Sequence, residues 1–166
     1  MAKKLPSRTS QDLQVAECVL NWDDWVTDSV SGQKATLGAP VASADSQTIS
    51  GLINGKNTTI TFDGIPMPVG AVIVSGEVLV ETAFAGPTAT VSVGIAGATT
   101  AFTTTSDMTA ATRVAFTITT NVELTCNAGQ NIRFTIALGN TDATAGKVRI
   151  RVLYTIDGRA QETCIA

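Results

Sequence analysis

The sequence contains no histidine. That absence removes every Ser-His and Cys-His nucleophile pair, the usual proton shuttle and the commonest metal ligand. Aromatic residues make up 5% of the chain and charged residues 15%, against a usual charged share of roughly 25%. So few charges leave two readings open: a surface built for protein contact, and one that is merely threonine-rich and soluble. The three cysteines, Cys18, Cys126 and Cys164, are odd in number and widely spaced. They fit neither a disulfide framework nor a zinc spacing, and they agree with an intracellular origin. Cys126 falls at the apolar phase of "NVELTC" and reads as a buried free thiol. A net charge of −3 offers no field to gather phosphates, so nucleic acid is not an expected partner. No apolar run approaches the roughly 20 residues of a membrane-spanning helix, so no membrane association is expected. The start, "MAKKLPSRTSQDLQ", does not continue into the apolar stretch of a secretory signal.

Val, Thr, Ala and Gly take the place of the missing residues. Val and Thr suit a pleated surface because their branched Cβ restricts χ1, and good helix formers are scarce. At 166 residues the chain suits one domain with an appended arm. Residues 1–45 read as the arm: a basic start with Lys3, Lys4 and Arg8, then Asp12, Glu17, Asp23, Asp24 and Asp28, then the flexible-looking "SVSGQKATLGAPVASADS". One strand is expected in it, near Gln14 to Leu20, although "QDLQVAECVLNWDDWV" also has some helical spacing.

Residues 46–166 read as the folded domain. Ile60 and Phe62 are in phase; so are Val72, Val74, Val78, Val80 and Phe84, with Ser75, Glu77 and Glu81 on the other parity. This is the period of a half-buried strand, and Gly76 marks a bulge or bend in it. The same alternation runs through Val91, Val93 and Ile95; Val114, Phe116 and Ile118; Val122 and Leu124; Ile132, Phe134, Ile136 and Leu138; and Val148, Ile150, Val152, Tyr154 and Ile156. "AGP", "NAGQ" and "GNTDATAG" supply turns, and "VGIAGATT" reads as a loop. "TTSDMTAATR" makes a short turn capped by Ser106 or Asp107. About eight strands at this spacing predict an all-β, two-sheet antiparallel sandwich of jelly-roll topology.

Chemistry is harder to find. Glu77 and Glu81 share a strand face roughly 13 Å apart by strand rise, whereas paired glycosidase carboxyls sit at about 5 to 5.5 Å or about 6.5 to 9.5 Å. They read as a solvated polar face. Asp23, Asp24 and Asp28, and Asn140 with Asp142, offer oxygen ligands but no EF-hand spacing. No glycine cluster precedes a lysine in the Walker spacing. No catalytic, cofactor-binding or metal residue is expected, and no cofactor. Arg149 and Arg151, with Arg133, form either an exposed basic stripe that guards a sheet edge or a subunit contact. Trp22 and Trp25 flank two acids in the arm; they dock either on the sandwich or against another subunit, where aromatic anchors concentrate binding energy. Removing residues 1 to 28 is expected to spare the sandwich and weaken assembly. The candidate contact residues are therefore Trp22, Trp25, Arg149 and Arg151.

The segments "IPMPVGAVIVSGEVLVETAFAGPTATVSVGIAG" and "LTCNAGQNIRFTIALGNTDATAGKVRIRVLYTIDGR" carry a Pro-Val-Gly start, a Val-rich strand ending in "ETAF", a Thr- and Ala-rich strand and a closing "GKVRIRVLY" strand. Over about residues 60 to 159 the chain resembles the β-sandwich structural proteins of tailed-bacteriophage virions, especially head decoration or cement proteins. The resemblance implies a homotrimer at threefold positions of a capsid, with arms that clamp the major capsid protein. It also implies assembly in the host cytoplasm with no signal peptide, and no active site. The other reading is a carbohydrate- or receptor-binding sandwich of a phage tail or fibre.

Overall fold

Along one short strand, Ile132, Phe134, Ile136 and Leu138 are buried while Arg133, Thr135 and Ala137 between them stay half-exposed. The same alternation builds the other long strands, because a pleated chain turns successive side chains to opposite faces. The protein is described here by a computed structural model covering residues 13–30, 32, 34–37, 58–85, 88–118, 125–126, 130–139 and 143–156. Its strands are β1 (Gln14–Asn21), β2 (Trp25–Thr27), β3 (Lys34–Thr36), β4 (Thr58–Ile65), β5 (Ala71–Thr82) and β6 (Ala89–Ile95). They continue with β7 (Ala98–Asp107), β8 (Arg113–Ala115), β9 (Thr125–Cys126), β10 (Ile132–Leu138) and β11 (Lys147–Ile156).

Two antiparallel sheets face each other. One has the order β1-β11-β5-β8, with β9 also on β5; the other has the order β4-β10-β6-β7. Of the links between the strands on these two paths, only the one from β6 to β7 stays within a sheet, and the first and last strands lie side by side. This is the wrapped, jelly-roll arrangement that the sequence predicts. Val78, Val80, Val148, Ile150 and Val152 from one sheet and Ile60, Phe62, Val91, Val93, Phe134 and Ile136 from the other fill the space between them. The rings of Phe62 and Phe134 meet edge to face with centroids 5.6 Å apart, a geometry favoured by their quadrupoles.

The structure departs from the sequence reading at several places, and β8 covers only Arg113–Ala115 of the run read through Ile118. Val72 and Val74 do not share the face of Val78 and Val80: Ala71 and Ile73 are buried instead, and Val74 is 47% exposed. The cause is a bulge. Leu153 pairs with Ser75 and Tyr154 with Ile73, so Val74 has no partner and the phase flips. The irregularity is therefore at Val74, and Gly76 has a separate role: a Cβ there would collide with the ring of Phe116 and the carbonyl of Arg151.

Second, "VGIAGATT" is not a loop but a tight hairpin. Ile95 pairs with Ala98 across Ala96 and Gly97, and Gly97 has a φ of 86° that a side chain would oppose. Third, "SVSGQKATLG" holds β3, which pairs with β2, and Leu37 is completely buried. The expected strand near Gln14 to Leu20 is β1, registered against β11 along its whole length from Gln14↔Tyr154 to Asn21↔Lys147. The segment read as an arm thus supplies a full strand of the first sheet. The turn in "TTSDMTAATR" is capped by Asp107, whose carboxylate accepts the Thr109 N–H at 2.8 Å. Val122, Leu124, Asn140, Asp142, Cys164 and the basic residues before Asp12 lie outside the described residues, as does the division at residue 45.

Candidate functional site

The outward face of the β1-β11-β5-β8 sheet carries the arginines singled out from the sequence. Arg149, on β11, donates through Nε to Glu81 on β5 at 2.5 Å and through Nη1 to Glu17 on β1 at 2.7 Å. Arg151, two residues on, donates to the other oxygen of Glu17 at 2.6 Å and lies 3.6 Å from Glu77. Glu77 also pairs with Arg113 of β8, and Lys147 lies 2.7 Å from Glu81. Cations and carboxylates thus alternate across all four strands.

The cation partners hold two carboxyls below their ordinary range. Glu17 is lowered chiefly by its bond to Arg151, and Glu81 by its bonds to Lys147 and Arg149. Arg149 is raised in turn, first by Glu81. Arg149 and Arg151 are therefore not a free basic stripe, because each guanidinium is matched within the chain. Arg133 does not join them; it stands on β10 in the other sheet, where it donates to Asp63 at 2.8 Å. Single exposed pairs of this kind contribute little stability, but a network that ties an edge strand to its second neighbour also fixes register.

The tryptophans lie elsewhere, at the side of the sandwich where β1 and β4 are the outer strands of their sheets. Trp25 is 70% exposed and Trp22 36%. Trp25 overhangs an open cleft of about 550 Å3 whose walls include Cys18 and Leu20 of β1, Val26 and Thr27 of β2, and Phe62 of β4. The ring is held out by a rigid frame: Asp24 accepts the Asn21 N–H at 2.6 Å, Leu37 N–H bonds to the Asp24 carbonyl, and β2 is locked against β3. The structure thus separates the predicted contact residues into two places, the paired arginines on a sheet face and the tryptophans at the sandwich's side.

The remaining candidates resolve into structural roles. Asp24 turns to Asn21 and Asp28 turns to Thr61, so the acids of "NWDDWVTD" diverge rather than converge. Among the described residues no group of three or more His, Cys, Asp or Glu side chains could hold a metal ion. Glu77 and Glu81 are each committed to separate cations. Burial, and then the charge of Asp24, push the Cys18 thiol up, away from the thiolate that nucleophilic chemistry needs. No helix of the described residues is long and apolar enough to cross a membrane.

No protein-family model matches the chain, and no curated protein matches it. Among solved structures, a chain of the cyanophage Pam1 capsid asymmetric unit is similar. The likeness covers 93% of this chain and 94% of that one, with a TM-score of 0.55 and 18% sequence identity. At this identity it is a likeness of fold. The likeness extends over nearly the full length of both chains rather than over one hairpin or half.

Proposed function

We propose that the protein is a non-enzymatic structural protein of a bacteriophage virion. In this reading it is a capsid decoration or cement protein that binds the major capsid protein at the capsid surface and stabilises the shell. It assembles in the host cytoplasm, acts as a homotrimer, uses no cofactor, and engages its neighbours partly through residues 1–45. The observation that supports this most directly is the jelly-roll likeness, over nearly the full length of both chains, to a component of the cyanophage Pam1 capsid asymmetric unit.

The chemistry of the chain agrees. The chain has no histidine, and Glu17, Glu77 and Glu81 are tied to cations that hold neighbouring strands together. Its most exposed aromatic ring, Trp25, is what an interface anchor needs: large, rigid and outside the core. Such a protein works by repeating modest contacts under symmetry, so that effective concentration makes the sum durable.

The test is binding of the purified protein to capsids prepared without it, followed by heating of the shells. Bound protein and a raised disruption temperature are expected; no binding, or no change in shell stability, overturns the proposal. Light scattering of the free protein tests the trimer. Trp25 beside a cleft also favours a second reading, a saccharide-binding module, because an exposed indole can stack on a sugar ring. Specific glycan-array binding abolished by Trp25→Ala would put that reading first.

A further inference from the structure

Sheet edges are the places where a β protein must choose between closure and contact, because each presents a row of N–H and C=O groups. Three of the four outer strands here are either bonded on their outer side at a central residue or short. On β4, Thr61 N–H donates to the Asp28 carboxylate at 2.9 Å, while the Thr61 carbonyl accepts the Ser29 N–H at 2.6 Å and the Ser29 hydroxyl at 2.7 Å. On β7, the Phe102 carbonyl accepts Thr117 N–H at 2.8 Å. β8 is only 3 residues long.

β1 is different. It is 8 residues long, contains no Lys, Pro or Gly, and pairs only with β11. Among the described residues, its main chain from Gln14 to Leu20 has no hydrogen-bond partner on the other side. Its inward residues Cys18 and Leu20 open directly into the cleft bounded by Val26 and Phe62. Asp28 and Ser29, in the turn after β2, occupy the neighbouring edge of β4 at Thr61, so the remaining opening suits a single extended chain rather than a second whole sheet. Glu17, Asp24 and Asp28 are bonded within the chain, to Arg149 and Arg151, to Asn21 and to Thr61, whereas Asp23, exposed in the turn after β1, has no partner among the described residues, and Leu13 to Val30 holds no cation.

Resting on the virion-protein reading above, we infer that β1 is a docking edge. It takes an extended segment of a neighbouring virion protein, which adds as a further strand beside β1. The segment carries apolar side chains at alternate positions, to enter the cleft, and a Lys or Arg that reaches Asp23 and the Trp25 ring. Main-chain pairing supplies the affinity, the apolar floor sets the register, and Asp23 sets the direction in which the segment lies.

Hydrogen exchange on the full-length protein, free and bound to capsids lacking it, reads this directly. Alternate amides between Gln14 and Leu20 exchange freely in the unbound protein and slow by at least about tenfold on binding, the effect of gaining a main-chain bond. Thr27→Arg, which fills the cleft from an exposed position, and Asp23→Lys each weaken binding by about tenfold or more with the melting temperature unchanged. Binding that leaves β1 exchange and both variants unaltered overturns strand addition while leaving the capsid role standing. If no capsid binding occurs, the capsid role fails. Strand addition is then decided by an array of overlapping capsid-protein peptides: capture of basic, alternating peptides that Thr27→Arg abolishes supports it, and no such capture ends it. Self-association that protects β1 would instead make a second copy the occupant and overturn the assignment to another protein.

Discussion

The carboxylate of Asp28 accepts the main-chain N–H of Thr61 at 2.9 Å, and both residues are buried. A side chain from the turn after β2 thereby occupies the place where another strand would bond to β4. Asp28→Ala leaves the Thr61 N–H unsatisfied at a cost of about 1–3 kcal/mol. It also reopens the edge. Chemical denaturation is expected to show the loss, and size-exclusion chromatography a shift toward larger species; a variant as stable and as monodisperse as the wild type would contradict this role.

Leu37 follows a three-residue strand and yet is completely buried. If the β2–β3 hairpin is an integral part of the core, Leu37→Ala costs about 2–5 kcal/mol. A loss below about 0.5 kcal/mol, the range of surface substitutions, would mean the hairpin is only loosely attached.

Ser106 lies on the inward side of β7 opposite Val91, 2% exposed, and its hydroxyl has no partner among the described residues. An unpaired buried hydroxyl opposes folding. Ser106→Ala is therefore expected to raise stability by about 1 kcal/mol, read as a higher denaturation midpoint with an unchanged slope. Destabilisation would show that the hydroxyl is bonded in solution.

The pH response follows from Glu17 and Glu81. Their folded-state pKa values lie below the ordinary 4.5, so the folded form binds fewer protons than the unfolded chain in acid. Their contribution is complete above about 4.5 and is lost as pH falls through the lowered values. Melting temperature is thus expected to be level near neutrality and to fall below pH 4.5. Glu17→Gln and Glu81→Gln should each flatten that fall, and an unchanged acid limb in the double variant would remove these ion pairs from the explanation.

Gly76→Val places atoms where the Phe116 ring and the Arg151 carbonyl already are. Overpacking of this kind costs about 1–3 kcal/mol. Phe116 stacks on Phe102 with centroids 5.6 Å apart, so the aromatic signal in near-ultraviolet circular dichroism should change as well. Retention of both stability and that signal would show that the sheet can move aside.

Much of the sandwich is readable from parity. β10 follows the period of two along its whole length and β11 follows it as far as Val152, and the polar phase of β5 correctly puts Glu77 and Glu81 outward. β7 escapes because "ATTAFTTTSD" has Phe102 as its only large apolar residue and buries Thr103 and Ser106 instead. Val72 and Val74 mislead because one inserted residue inverts a phase, and no local signal distinguishes it from continued alternation. The arginine pairs depend on strand order. Nothing in the spacing of Glu17, Glu77 and Glu81 reveals that β11 will lie between β1 and β5. The tryptophans are visible as residues, but the cleft beside Trp25 needs β4, distant in sequence, to lie against β1 and β2.

Glu17 and Arg151 are bonded across 134 positions of chain. Loops of that size close slowly, and long-range pairings dominate the rate at which β proteins fold. The first sheet cannot be completed until β11 has left the ribosome, so β1 must wait while the intervening strands are made, with its partner still unmade. Until then β1 lacks the strand it pairs with. A subunit truncated before Lys147 would never acquire the side of the sandwich that β1 forms.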